Sequence, residues 1–282
     1  MNSFEEFVSH TIRSSNDSLS EKSMIVKIRV ATEKFKSPEN ARNAGYRPMG
    51  PDMPNMGMHW INTGLAVQRS IDFEKPSTLT YLPVDGELKL TGVAYTTPVN
   101  SGEKAPELPI KSMTWHYHSG NLEEEAHGVH NEQMQFDEVA QMNLAMLHAW
   151  VWSDNPAGTF SADNWALSYY RFGLKPPNLS ELNPELSKAL FLASGNVDYY
   201  LKFIELSTES ELTERDKIKE ILTEYSSKIN DDIKINETGS NLSSERFNNI
   251  SKLWKEMWDN IKEELDKDEW ANVEMQLDGH RH

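Results

Sequence analysis

Hydrophobic positions along the chain change period several times, and each change predicts an element. Met24, Ile25, Ile28, Ala31 and Phe35 recur at helical intervals behind a capping-box spacing, Ser18-Leu-Ser-Glu21, so a helix is expected from Ser18. Ser37-Pro38-Glu39 reads as a cap followed by proline at the first helical position, with Gly45 as the stop of a second, short helix. Three prolines and two glycines between Tyr46 and Trp60 predict a long ordered loop without regular structure. Thr78–Leu82 and Leu88–Tyr95 then read as strands joined through Asp85-Gly86, a strong hairpin signal.

Past the histidine-rich stretch at 116–130, residues 131–143 are rich in helix formers, whereas 145–152 alternate as a strand. Asn155-Pro156-Ala-Gly158 predicts a sharp turn. Beyond Pro176-Pro177 the period is helical throughout. Short helices are expected around Leu186–Leu190, Tyr199–Ile204 and Leu212–Leu222, and 231–240 reads as a linker. A long final helix opens at Ser243 or Ser244, with a stripe of Phe247, Ile250, Trp254, Met257, Ile261 and Leu265. These elements predict an α+β fold: a small antiparallel sheet, open or barrel-like, with N-terminal helices and a C-terminal helical layer. The expected division is a flexible 1–18, an α+β core over 19–180 and a helical region over 181–282.

Composition narrows the function. The formal net charge of −16 over 282 residues repels phosphate backbones and anionic membrane surfaces, so neither nucleic acid nor membrane is expected as a partner. No apolar run approaches the ~20 residues of a membrane span, and no secretory signal precedes the first helix, which makes a cytoplasmic protein the expectation. The absence of cysteine excludes disulfides, thiolate metal sites and cysteine nucleophiles. No P-loop, dinucleotide fingerprint or nucleophile elbow is present.

What remains is imidazole and carboxylate. Of nine histidines, four fall in Trp115-His116-Tyr117-His118-Ser119-Gly120-Asn121-Leu122-Glu123-Glu124-Glu125-Ala126-His127-Gly128-Val129-His130. On a strand, the one-residue spacing of His116 and His118 aims both rings to one face, where they can share an ion. His148 and His59 each sit in an apolar, tryptophan-flanked block, where a buried imidazole needs a hydrogen-bond partner or a metal. His127 and His130, among acidic neighbours, read as a solvated turn. Glu124-x-x-His127 has di-iron spacing, but no second matching helix accompanies it. The ligand set expected is His116, His118 and His148, completed by His59 or Glu123, around one transition-metal ion, with iron, copper and zinc not distinguished. Glu123 and Tyr117 are the candidate catalytic groups, and Trp60, Trp115, Trp150 and Met58 the candidate pocket lining.

Two resemblances bear on this. The blocks Ala44-Gly-Tyr46, Met56-Gly-Met-His-Trp60, Leu90-Thr-Gly-Val-Ala-Tyr95 and Leu147-His-Ala-Trp-Val-Trp152…Asn155-Pro-Ala-Gly-Thr-Phe160 resemble a family of uncharacterised microbial proteins over residues 20–165. That resemblance implies weight for His59 and His148 without implying a reaction. His116-x-His118-x4-Glu123 resembles the first metal motif of cupins, with His148 in the later histidine's place. Ile110 and His130 stand where that motif has glycines.

The function expected is therefore a non-haem metalloenzyme oxidising or hydrolysing a small organic molecule. Two other readings stay open. One is a copper-binding or storage protein using Met49, Met53, Met56, Met58 and His59. The other is an interaction module that oligomerises through the C-terminal helix carrying Trp254, Trp258 and Trp270.

Overall fold

The computed structural model describes residues 20–100, 103–118, 127, 142–208, 212–234 and 241–278. The fold is α+β: a curled six-stranded antiparallel half-barrel with helices before and after it. A first helix, α1 (20–32), ends in a 3-10 turn at Glu33–Lys36, and α2 (Pro38–Asn43) follows. The Ser37 side chain caps α2, and Gly45, at φ 93°, lets the chain leave it.

The strands are β1 (Arg47–Met53), β2 (Gly57–Ile61), β3 (Thr78–Val84), β4 (Glu87–Asn100), β5 (His116–His118) and β6 (Met142–Ala149), in the order β1-β2-β3-β4-β6-β5. The segment expected to be a long loop is instead the β1–β2 hairpin. Its prolines are tolerated because β1 is an edge strand whose register shifts between Pro48 and Asp52, so few ladder hydrogen bonds are demanded of it. The β3–β4 hairpin turns at Asp85 (φ 52°) and Gly86 (φ 79°), as that dipeptide predicts. Of the helix expected up to Asn143, residues 131–141 lie outside the described residues, and Met142 and Asn143 are strand, because residues 142–149 pair with β4 along their whole length. Strand structure then stops at Ala149 rather than Trp152, where Trp150 N–H turns to the Thr159 carbonyl.

Strand alternation divides the sheet into two unlike faces. Trp60, Leu79, Val93, Tyr95 and Leu147 point to one side and form an apolar core with Ile28, Phe35 and Ala41 of the N-terminal helical segment. The other side is small and polar in the middle, with Thr78 and Thr80 on β3 and Gly92 and Ala94 on β4. A bulge at Thr80/Tyr81, where Thr91 is the extra residue, adds a local bend to the sheet.

Five helices make the C-terminal layer: α3 (Pro184–Ala193), α4 (Val197–Thr208), α5 (Arg215–Lys234), α6 (Ser244–Glu264) and α7 (Lys267–Asp278). Asp231–Lys234, expected to open a linker, is instead the last turn of α5, where Ile233 is buried. The final helix breaks at Leu265-Asp266, and the Asp266 carboxylate accepts from the backbone of Asp268 and Glu269 to start α7. Trp254 and Trp258 are buried in the bundle with Tyr200 and Phe203, and Trp270 packs against the same cluster. Two of the three tryptophans expected to mediate oligomerisation, Trp254 and Trp258, are thus part of the chain's own core. Among the described residues no helix is long and apolar enough to cross a membrane.

Candidate metal centre

Four histidines from three strands meet on the small, polar side of the sheet. His116 and His118 lie on β5 and His148 on β6, where the register places His116 opposite Met146 and His118 opposite Leu144. Both therefore share the face of His148. His59 comes from β2, opposite Thr80. Ring centroids are 5.6 Å apart for His59–His148, 5.0 Å for His116–His148 and 5.1 Å for His116–His118.

Those separations suit a shared ion. With metal–nitrogen bonds of about 2.1 Å, two coordinated rings have centroids about 4.5 Å apart at a right angle and about 5.5 Å apart at 120°. The ring planes are not yet turned to a common point: His59 and His148 lie within 18° of parallel, and among the described residues no three His, Asp or Glu side chains are set as a ligand group.

Three of these rings carry ring nitrogens without a partner. Nε2 of His59, both ring nitrogens of His116 and Nε2 of His148 are out of contact with solvent and have no hydrogen-bond partner. His148 donates Nδ1–H to the Ala162 carbonyl at 2.5 Å, which fixes its tautomer and leaves the Nε2 lone pair for a ligand. A backbone carbonyl holding the distal nitrogen is the usual support of a metal-bound histidine. Burial, reinforced by the neighbouring imidazoles, lowers the pKa of His59 to about 3. Burial likewise takes His148 to about 4, against the raising effect of its bond to Ala162, and holds His116 well below the ordinary histidine value. All three rings are neutral at neutral pH, the form that binds metal.

A carboxylate that the sequence did not single out follows Ala162, the residue whose carbonyl holds His148. Asp163, half-buried, accepts through Oδ1 from Asn55 Nδ2 at 2.7 Å. Desolvation raises its pKa to about 6, opposed by Asn55 and His118. Its one sequence signal is position, just after the 155–158 turn that follows the His148 block.

Other expected lining residues stand elsewhere. Trp60 and Met58 flank His59 on β2, and alternation sends both to the opposite face, into or against the apolar core. Trp115 packs on that core too, with Nε1–H bonded to the Pro106 carbonyl, and Tyr117 alternates away from its histidine neighbours. Trp150 alone of the named tryptophans flanks the site, 5.3 Å from the His148 ring. His127 stacks on Tyr199 of α4 at 5.3 Å, which places it on the helical layer. Glu123, Glu124, Glu125, His130, His280 and His282 lie outside the described residues. No protein family, curated protein or solved structure matches the chain.

Proposed function

We propose that the protein binds one transition-metal ion through His59, His116, His118 and His148, and acts as a non-haem metalloenzyme on a small organic molecule, by oxidation or hydrolysis. The observation that supports this best is the proximity of His59, His116 and His148, neutral imidazoles with buried ring nitrogens that have no hydrogen-bond partner. An unsatisfied buried polar atom costs about 1–3 kcal/mol, so several in one place are an expensive arrangement for a core with no other purpose. Metal coordination satisfies them together. The chemistry available to such a site is Lewis-acid polarisation of a substrate, activation of a bound water, or electron transfer at the ion.

The methionine-loop copper reading is weaker. Met58 and His59 point to opposite faces of β2, and Met49 is exposed, so neither of these thioethers joins the imidazole.

Elemental analysis of the untagged full-length protein tests the proposal. About one ion per chain is expected, lost in His148→Ala and in the His116→Ala/His118→Ala double variant. Absence of stoichiometric metal, or its retention without both His116 and His118, overturns it.

A further inference from the structure

Asp163 has no role in the four-histidine set, yet it lies in the segment whose Ala162 carbonyl holds His148. Hydrogen bonds from several parts of the chain fix the segment 161–164. Trp150 Nε1–H donates to the Ser161 carbonyl at 2.8 Å, and His148 Nδ1–H to the Ala162 carbonyl. Asn155 Nδ2 donates to the Asp163 carbonyl at 2.7 Å, and the Asn164 N–H to the Asn55 carbonyl at 2.9 Å. Asn55 Nδ2 then donates to Asp163 Oδ1. The residues that support His148 thus also fix the carboxylate.

We infer that Asp163 is the carboxylate ligand of the ion bound by the four histidines, with Oδ1 held by Asn55 and Oδ2 given to the metal. The inference rests on the metal-binding reading above. Its physical ground is charge. Four neutral imidazoles leave the full double charge of a divalent ion in a desolvated place, which is costly to bury. One anionic ligand halves that charge. Imidazole plus carboxylate also favours borderline divalent ions over the soft monovalent copper that thioether ligands prefer. Asn55 then acts as the outer partner that orients the carboxylate, as coordinated carboxylates ordinarily require.

Cobalt(II) is the probe, because its visible spectrum reports coordination number and donor set. Chelator-treated full-length protein is titrated with Co²⁺, in wild type, Asp163→Asn, Asn55→Ser and Asp85→Asn. Asp163→Asn keeps the shape and an acceptor for Asn55 while removing the charge. Asp85→Asn removes a charge from the exposed β3–β4 turn, which controls for the general acidity of the chain. We expect Asp163→Asn to bind Co²⁺ on the order of 100-fold more weakly with an altered visible band, Asn55→Ser roughly 10-fold more weakly, and Asp85→Asn unchanged. Wild-type affinity and spectrum in Asp163→Asn overturn this assignment and leave the histidine site standing. Should that variant not fold, wild-type affinity in Asn55→Ser overturns it. A wild-type protein that takes up no Co²⁺ overturns both readings at once.

Discussion

His59 and His148 stand with ring centroids 5.6 Å apart, although β3 and β4 lie between their strands. Three strand-to-strand steps across a flat sheet would separate them by about 14 Å. Their meeting is a direct consequence of the curl. Small side chains on β3 and β4 permit that curl on the inner side, where a larger residue would fill the space between the two rings.

Gly92 is the tightest of these positions. A Cβ there would meet the Ala149 carbonyl at 2.9 Å, Thr80 Oγ1 at 3.0 Å and the Trp150 ring at 3.1 Å. Gly92→Ala should destabilise the protein by about 1–3 kcal/mol, the usual cost of overpacking, and Gly92→Val by more. Urea unfolding measures this, and metal content should fall in parallel. Undiminished stability in Gly92→Val would show that the sheet tolerates opening here.

Metal should stabilise the folded chain. Ligand at about 100 times its dissociation constant adds about 2.7 kcal/mol, which for a chain of this length raises Tm by roughly 5–10 °C. Thermal melts with chelator and with added Co²⁺ or Zn²⁺ check it, and His59→Ala should abolish most of the shift. An equal shift in that variant would place the binding elsewhere.

Without metal, stability should decline as the pH falls from about 6.5 toward 4. His59 and His148 have folded-state pKa values of about 3 and 4, below the unfolded value of 6.5, and that of His116 is depressed too. In that window the unfolded chain takes up protons that the folded chain refuses, so their contribution is complete above 6.5 and lost on acidification. Asp163 acts in the opposite sense: its folded-state pKa of about 6 lies above 3.8, so its contribution is present at low pH and lost as pH rises through 6. Three imidazoles outweigh one carboxyl. Melting temperatures of chelator-treated protein should therefore fall on acidification, less steeply in His59→Gln. A rising Tm toward pH 4.5 would contradict it.

A buried ion pair at Arg171 links the sheet to the helical layer. Arg171 forms a two-pronged bond to Asp52 of β1, each arm 2.8 Å, and its guanidinium lies over the Phe191 ring of α3 at 4.9 Å. Arg171 is 3% exposed and Asp52 14%, so removing one partner strands a largely buried charge. Arg171→Ala should cost about 3–5 kcal/mol, whereas Arg171→Met with Asp52→Leu should recover much of it. A double-mutant cycle by chemical denaturation tests the coupling. Independent, additive losses would show the pair to be incidental.

Much of the architecture was legible from local pattern. The α1 stripe, the Ser37-Pro38 helix start, the Asp85-Gly86 hairpin and the α6 stripe are each set by residues within a turn of one another. The β1–β2 hairpin was not, because its prolines are allowed only by an edge position that no local pattern announces. The helix-or-strand ambiguity before His148 was likewise resolved by pairing with β4.

For the site, sequence alone determined which imidazoles belong together on a face: the His116-x-His118 spacing needs only the two-residue period of a strand. It also marked His148 and His59 by their apolar settings. Only the tertiary structure decided that these rings approach one another, because the distance between β2 and β6 depends on sheet curvature. Packing also sorted the tryptophans, leaving Trp150 beside His148 and Trp60 and Trp115 on the apolar core. Asp163 was not legible either, since a loop carboxylate has no periodicity and is placed only by the hydrogen bonds that hold its segment.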